Sequence, residues 1–169
     1  MSRLRRIAVS DRYFFVTSNL DQNRAFLGDP DFEDLAGAVA RARTEHGFWI
    51  TAWIFLPDHW HAIVYPRHPL AISTVIKTIK LQTTPAINRR RNEAGPLWQA
   101  RFFDRILRTV QEYWETVDYI HMNSVRRGLV SRPEDWRWSS VHSHQKHSHG
   151  VALPIDTINL PSDPAFRLW

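Results

Sequence analysis

The chain has 169 residues, a length that suits one domain around a single hydrophobic core. It contains no cysteine, which excludes disulfides, thiolate metal sites and cysteine nucleophiles. The net charge of +5 favours a polyanionic partner, and the lack of a long apolar segment or a signal-like start predicts a cytoplasmic protein outside the membrane.

The first half of the chain predicts a strand, a helix and a β-hairpin. Residues 12–18 are rich in β-branched and aromatic side chains, which favours a strand. Apolar residues recur at helical spacing across residues 31–46, and Gly47 follows them, which indicates a helix. Residues 48–56 and 59–65 predict two further strands, and the Pro57-Asp58 turn between them predicts antiparallel pairing.

The second half predicts two more helices with a strand between them. Residues 70–92 have helical spacing, and Pro85 predicts a kink or an interruption because proline lacks an amide hydrogen. Residues 98–108 favour a strand or a short hairpin, and residues 109–127 a third helix ended by Gly128. The order β-α-β-β-α-β-α predicts an α+β fold: a ferredoxin-like antiparallel sheet, helices packed on it and an added C-terminal helix.

We expect one domain over residues 1–141, which begins with a basic arm at residues 1–11. The arm has no apolar pattern that would fold it onto the core, so it is expected to contact DNA, although a solvated terminus would have the same composition. Residues 142–169 are expected to form a mobile tail, because their first part is rich in serine. That part contains four histidines: His142, His144, His147 and His149.

Two histidines at the start of the third strand are the first candidates for chemistry. Side chains two residues apart on a strand project from the same face, so His59 and His61 can bind one ion. Trp60 between them should point into the helix layer on the other face. An isolated His-x-His pair is more often structural or exposed, so the spacing alone leaves both interpretations open.

Tyr119 on the third helix is the second candidate. The apolar stripe that should face the sheet is predicted at Val110, Trp114, Val117 and Ile120 or His121. Tyr119 lies off that stripe, with Asn123 one turn later on the same side. Such a residue can also be an amphipathic surface tyrosine. Tyr113 lies nearer the stripe and is the weaker candidate for a nucleophile.

Six ordered segments form a more specific signal than either candidate alone. They are Tyr13-Phe-Phe-Val-Thr17, Leu56-Pro-Asp-His-Trp-His-Ala-Ile-Val64, residues 80–88, Leu97-Trp-Gln-Ala-Arg-Phe-Phe-Asp-Arg105, Tyr119-Ile-His-Met-Asn-Ser-Val-Arg-Arg-Gly-Leu-Val130 and Trp136-Arg-Trp-Ser-Ser140. Together they resemble the REP-associated tyrosine transposases, a single-tyrosine branch of the HUH endonucleases. The family usually has Asn-Pro-Val where this chain has Asn123-Ser-Val, a departure that concerns the end of the helix rather than the ligands.

The resemblance implies a metal-dependent endonuclease and strand transferase that acts on single-stranded DNA. It implies that His59, His61 and Asn123 hold Mg²⁺ or Mn²⁺ and that Tyr119 is the nucleophile. By the same resemblance, the tyrosine keeps a 5′ phosphate as phosphotyrosine and releases a 3′ hydroxyl. The target would be a repetitive extragenic palindrome (REP), an imperfect hairpin with a short flanking tetranucleotide, and the protein a monomer or homodimer.

Basic side chains are the candidates for contacts with single-stranded or hairpin DNA. The predicted set is Arg3, Arg5, Arg6, Lys77, Lys80, Arg89, Arg90, Arg101, Arg105 and Arg126. The two lysines are candidates for the scissile phosphate, but solvated lysines would have the same pattern.

Two other functions remain open from the sequence. A domesticated, sequence-specific DNA-binding protein would keep the fold and the basic surface without catalysis, although the intact candidate residues argue against it. A hydrolytic metalloenzyme would use His59 and His61 to activate water, with Tyr119 as a bystander. Detection of a covalent protein–DNA product separates all three.

Overall fold

A four-stranded antiparallel sheet forms the centre of the structure, a computed structural model that describes residues 9–145, 152–158 and 166. The elements in chain order are β1 (Phe14–Asn19), α1 (Asp29–His46), β2 (Trp49–Leu56), β3 (His59–Tyr65), α2 (Ile72–Arg91), β4 (Phe103–Ile106), α3 (Val110–Arg126), a 3₁₀ turn (Pro133–Asp135) and α4 (Val141–His144). The strand order is β2-β3-β1-β4, and each neighbouring pair is antiparallel. This is the ferredoxin-like arrangement, so the predicted α+β fold class is confirmed.

Helices cover both faces of the sheet. The core with α1 and α2 contains Trp60, which points away from the two histidines as predicted. The core with α3 contains Phe15 and Ile54. A β-bulge between Ile50 and Ala52 shifts the alternation of β2, so that Ile50 belongs to the first core and Ala52 to the second. Strands β1, β2 and β3 therefore each supply side chains to two separate cores.

Helix α2 runs without interruption from Ile72 to Arg91, so the interruption considered at Pro85 does not occur. The proline lacks the amide hydrogen that would normally bond to the carbonyl oxygen of Leu81. Both residues are exposed, and water can supply the missing donor. The cost of the proline is therefore small enough for the helix to continue.

The later elements differ from their predicted extent and orientation. Strand β4 has only four residues, much shorter than the predicted segment 98–108. On α3, Trp114 is 46% exposed, whereas Tyr113 is 1% exposed. The stripe that faces the sheet therefore begins at Tyr113 and continues through Val117 and Ile120, which lie four and seven residues later.

The C-terminal residues that the structure describes pack on the core, which differs from the predicted mobile tail. Trp53 donates its indole N–H to the carbonyl oxygen of Leu153 at 2.9 Å. Asp156 accepts a hydrogen bond from the backbone N–H of Ile50 at 2.9 Å and pairs with Arg43 at 2.6 Å. Most of these contacts use backbone atoms, so the sequence carries no periodic pattern that would predict them. His147 and His149 lie outside the described residues.

None of the helices in the described part of the chain is long and apolar enough to cross a membrane. The predicted DNA-contacting arginines of the basic arm, Arg3, Arg5 and Arg6, lie outside the described residues.

Candidate active site

The β2–β3 hairpin places His59 and His61 on the sheet face that carries α3. Both side chains are buried, and His61 stacks on Phe15 with 5.3 Å between ring centroids. The Nε2 atoms of the two histidines lie 3.0 Å apart. That separation suits a hydrogen bond when one nitrogen carries the proton. It also suits two adjacent ligands of an octahedral ion, which lie about 3 Å apart when each bond is about 2.1 Å long.

The remaining ring nitrogens of both histidines are held by the protein. Nδ1 of His59 lies 2.6 Å from a carboxylate oxygen of Asp58, and Arg127 donates to the other oxygen at 2.6 Å. Nδ1 of His61 lies 2.8 Å from the hydroxyl of Thr17. A histidine that donates from Nδ1 to a carboxylate keeps the lone pair of Nε2 for a metal ion. The arrangement therefore fits the donor set that a divalent ion requires.

The electrostatics favour neutral imidazoles beside an ionised carboxylate. Burial lowers the pKa of His61 to about 3, and the nearby His59 and Arg127 act in the same direction. Burial also lowers the pKa of His59, although the hydrogen bond with Asp58 opposes it. Burial alone would raise the pKa of Asp58, but its bonds to His59 and Arg127 outweigh burial and lower it. Neutral histidines are the form that binds metal.

Helix α3 brings Tyr119 to the histidine pair within the same chain. The Tyr119 ring lies 5.5 Å from the ring of His61 and 5.8 Å, edge to face, from that of Phe15. The guanidinium of Arg126 lies over the Tyr119 ring at 5.3 Å. Tyr119 is 39% exposed, in contrast to the fully enclosed Tyr113. Of these two tyrosines, only Tyr119 is open to solvent beside the histidines.

An open cleft of about 320 Å³ lies beside Tyr119, with walls formed by Phe15, Arg105, Glu112, Glu115, Thr116 and Tyr119. Arg105 donates to one carboxylate oxygen of Glu112 at 2.9 Å. The other oxygen of Glu112 accepts the backbone N–H of Arg108 at 2.7 Å. The cleft therefore contains both signs of charge next to the tyrosine.

Asn123 is buried on α3, one turn after Tyr119. The helix continues through Ser124 and ends at Arg126, and Gly128 follows two residues later with a φ of +70° that favours glycine. Serine in place of the usual proline thus leaves the helix intact past Asn123. Across residues 9–145, 152–158 and 166, no three His, Cys, Asp or Glu side chains form a metal cluster. A third protein ligand would have to be of another kind, such as the amide of Asn123.

Two predicted DNA-binding residues on α2 are occupied by contacts within the protein. Arg90 pairs with Asp31 at 2.5 Å and with Asp34 at 2.8 Å, which joins α2 to α1. Lys80 donates to the carbonyl oxygen of Gln99 at 2.6 Å, and burial lowers its pKa. Both contacts support the fold, and neither was expected from the basic pattern of the sequence.

The other described members of the predicted set are exposed. Arg105 and Arg126 lie beside Tyr119. Lys77 and Arg89 lie on α2, and Arg101 lies on the segment before β4. Sequence patterns did not identify Thr17, Asp58 and Arg127, which hold the histidines.

This combination defines a small α+β protein in which a buried His-x-His pair faces an exposed tyrosine on a neighbouring helix. Residues 10–123 match the model of a family described as "Transposase IS200 like". That match covers more than half of the chain, and the chain therefore belongs to the IS200-like transposase family.

One relative and one solved structure show that the chain is similar to REP-associated tyrosine transposases. The chain is 32% identical over 143 residues to the REP-associated tyrosine transposase of Escherichia coli (strain K12), and the alignment covers 84% of each protein. It is also similar to a solved structure of a REP-associated tyrosine transposase bound to a REP hairpin, with a TM-score of 0.76 and 28% identity. That similarity covers 96% of this chain and 97% of the other.

Proposed function

We propose that this protein binds hairpin or single-stranded DNA and cleaves and rejoins one strand, with Tyr119 as the nucleophile. The observation that carries the proposal is the exposed Tyr119 ring 5.5 Å from His61, whose Nε2 lies 3.0 Å from that of His59. Membership of the IS200-like transposase family and the likeness to a transposase bound to a REP hairpin support DNA as the substrate.

The proposed reaction is a transesterification at phosphorus. The phenolic oxygen of Tyr119 loses its proton and bonds to phosphorus, while the bond from phosphorus to the 3′ oxygen breaks. The leaving 3′ oxygen takes up a proton, and the 5′ phosphate stays on the tyrosine. The phosphotyrosine stores the bond energy, so a 3′ hydroxyl can attack it and rejoin DNA without ATP.

His59 and His61, with Asn123 as a third ligand, would hold Mg²⁺ or Mn²⁺. A divalent ion supplies positive charge to the non-bridging phosphate oxygens as charge builds up on them. Asp58 and Thr17 orient the two imidazoles through their Nδ1 atoms. Arg126 packs over the Tyr119 ring, where it steadies the nucleophile and keeps a cation close to the incoming phosphate.

The decisive experiment is detection of a covalent adduct. We would incubate the protein with Mn²⁺ and a REP-type hairpin that has a single-stranded flank and a label at its 3′ end, then separate the products on a denaturing gel. The parent protein should give a labelled protein–DNA band. Tyr119→Phe should lose that band but keep its hairpin affinity, because only the nucleophilic oxygen is removed.

Tyr113→Phe is the matched control and should still form the adduct. An adduct that persists in Tyr119→Phe would remove Tyr119 from the chemistry. Cleaved DNA without any adduct would indicate a hydrolytic metalloenzyme, and binding without cleavage would indicate a DNA-binding protein that lacks catalysis.

A further inference from the structure

Phe103 is an exposed aromatic side chain on the edge strand β4, next to the candidate active site. It is 53% exposed, although burial of a phenylalanine is normally favourable. Its ring contacts Phe15 edge to face at 6.1 Å, and Phe15 in turn contacts His61 and Tyr119. One edge of the Phe103 ring is therefore supported by the site, while half of the side chain is open to a ligand.

The register of the sheet sets the distance from Phe103 to the histidine pair. His61 on β3 lies opposite Thr17 on β1, and Thr17 lies opposite Phe103 on β4. The three side chains form one row on the same face, since directly paired residues share a face. Neighbouring strands are about 4.8 Å apart, so Phe103 and His61 are separated by roughly 10 Å along this row. One nucleotide can bridge that span.

The charges of the neighbouring cleft favour a base over a phosphate. Glu112 and Glu115 line the cleft between β4 and Tyr119, and carboxylates repel a phosphate group. They accept hydrogen bonds from the exocyclic amino groups of bases. Arg105 on the same wall is paired with Glu112 at 2.9 Å, which reduces its pull on a phosphate. The phosphate is better placed on the side of Arg126 and the histidines.

We infer that Phe103 stacks on an unpaired base next to the scissile phosphate and that the cleft carboxylates face the edge of that base. The inference rests on the proposed function, because it places the base relative to the cleaved bond. It assigns Phe103 a role in binding and positioning the strand. Stacking of one base on an aromatic side chain corresponds to about 5- to 150-fold in affinity.

The test measures binding rather than cleavage. In a Tyr119→Phe background, we would titrate a hairpin with a single-stranded flank, and a series of the same hairpins in which one flank nucleotide at a time is abasic. Phe103→Ala should weaken binding of the intact flank by about 5- to 150-fold. In the protein that retains Phe103, an abasic nucleotide at one position of the flank should weaken binding by a similar factor. For that hairpin, Phe103→Ala should cause little further loss of affinity.

Conservative variants separate stacking from a structural role. Phe103→Trp should keep the affinity, whereas Phe103→Leu should lose it even though leucine preserves an apolar side chain. Trp114→Ala is the matched control, since Trp114 is also an exposed aromatic on the surface but packs near His144 rather than in the cleft. It should bind the flank as the parent does.

The inference would be overturned if Phe103→Ala lowered the affinity by the same factor for every abasic hairpin, or did not lower the affinity at all. Because the readout is affinity, it is independent of the adduct assay. If the adduct forms but the affinity losses from Phe103→Ala and from each abasic nucleotide simply add, only the stacking site is rejected. If Phe103→Ala adds little to the loss at one abasic position but no adduct forms, only the role of Tyr119 is rejected.

Discussion

Asp58 orients His59, one of the two histidines proposed to hold a metal ion. One carboxylate oxygen lies 2.6 Å from Nδ1 of His59, and the other accepts a hydrogen bond from Arg127 at 2.6 Å. Arg127 follows the last residue of α3, so the same contact ties the tyrosine helix to the β2–β3 turn. Carboxylate partners of this kind fix the tautomer and orientation of a ligating histidine.

We expect Asp58→Asn to weaken Mn²⁺ binding by about 10-fold or more, because an amide can favour the wrong tautomer of His59. A titration followed by the EPR signal of free Mn²⁺ measures this directly. Arg126→Ala is the control, because Arg126 contacts the Tyr119 ring and is not one of the residues that orient the histidines. This variant should bind Mn²⁺ with the parent affinity. Parent-like affinity in Asp58→Asn would contradict a positioning role for Asp58.

His121 is a buried histidine whose protonation opposes folding. Its Nε2 lies 3.0 Å from the hydroxyl of Ser140, which already accepts the backbone N–H of Trp53 at 2.9 Å. The hydroxyl can donate its proton to Nε2 of a neutral His121. Burial lowers the pKa of His121 to about 3, and His144 and His142 act in the same direction.

The unfolded chain binds this proton near its ordinary pKa of 6.5, so the stabilising contribution is complete above that pH and is lost as the pH falls toward 3. One such group changes the free energy of unfolding by at most about 1.4 kcal/mol per pH unit. We expect His121→Gln to lose less stability than the parent between pH 7 and pH 5 in urea unfolding. Equal losses in both proteins would mean that His121 does not titrate as described.

At the scale of elements, α3 carries Tyr119, the proposed nucleophile, and is defined at both ends by local chemistry. Thr109 caps its first turn, and the hydroxyl accepts the backbone N–H of Glu112 at 3.0 Å. At the other end, Leu129 donates its N–H to the carbonyl oxygen of Ser124 at 3.0 Å around Gly128. Both signals are visible in the sequence, and the predicted helix 109–127 agrees with the structure within one residue at each end.

Thr109→Ala should lower the free energy of unfolding by about 1 kcal/mol, because one backbone donor of the first turn loses its partner. Urea unfolding measures the change. Thr44→Ala is a suitable control, since the Thr44 hydroxyl bonds back to Ala40 within α1 and caps nothing. It should leave stability within about 0.5 kcal/mol of the parent. Equal stability of Thr109→Ala and the parent would mean that the cap is not needed.

At the scale of the whole molecule, the distribution of positive charge determines how DNA is held. Several predicted contacts remain available at the described surface, whereas Arg90 and Lys80 are bound within the protein. The basic arm lies outside the described residues, and its role is a prediction from sequence alone. Each phosphate contact contributes about 0.7 to 0.9 to the slope of log affinity against log salt.

A protein that starts at Val9 should show a salt slope flatter by about two to three units if all three arm arginines contact phosphates. Affinity for a hairpin measured at several salt concentrations, for this protein and the full chain, provides the comparison. An identical slope would assign the phosphate contacts to the surface set Arg89, Arg101, Arg105 and Arg126 instead.

The sequence by itself determined the features that depend on local periodicity. The two-residue repeat of a strand puts His59 and His61 on one face, and the 3.6-residue repeat of a helix keeps Tyr119 off the core stripe. The element order also led to the ferredoxin-like sheet. The same local logic failed at Trp114 and gave no sign of the bulge in β2, because packing against the rest of the chain overrides the simple repeat there.

Only the tertiary structure decided which distant residues meet. Arg127 pairs with Asp58 across 69 positions, and Thr17 meets His61 across 44. Phe103 lies in the same row as Thr17 and His61 because β1 lies between β3 and β4. These contacts depend on strand order, on register and on which face of the sheet α3 covers. Local spacing does not encode those choices, because they are made by the packing of the whole core.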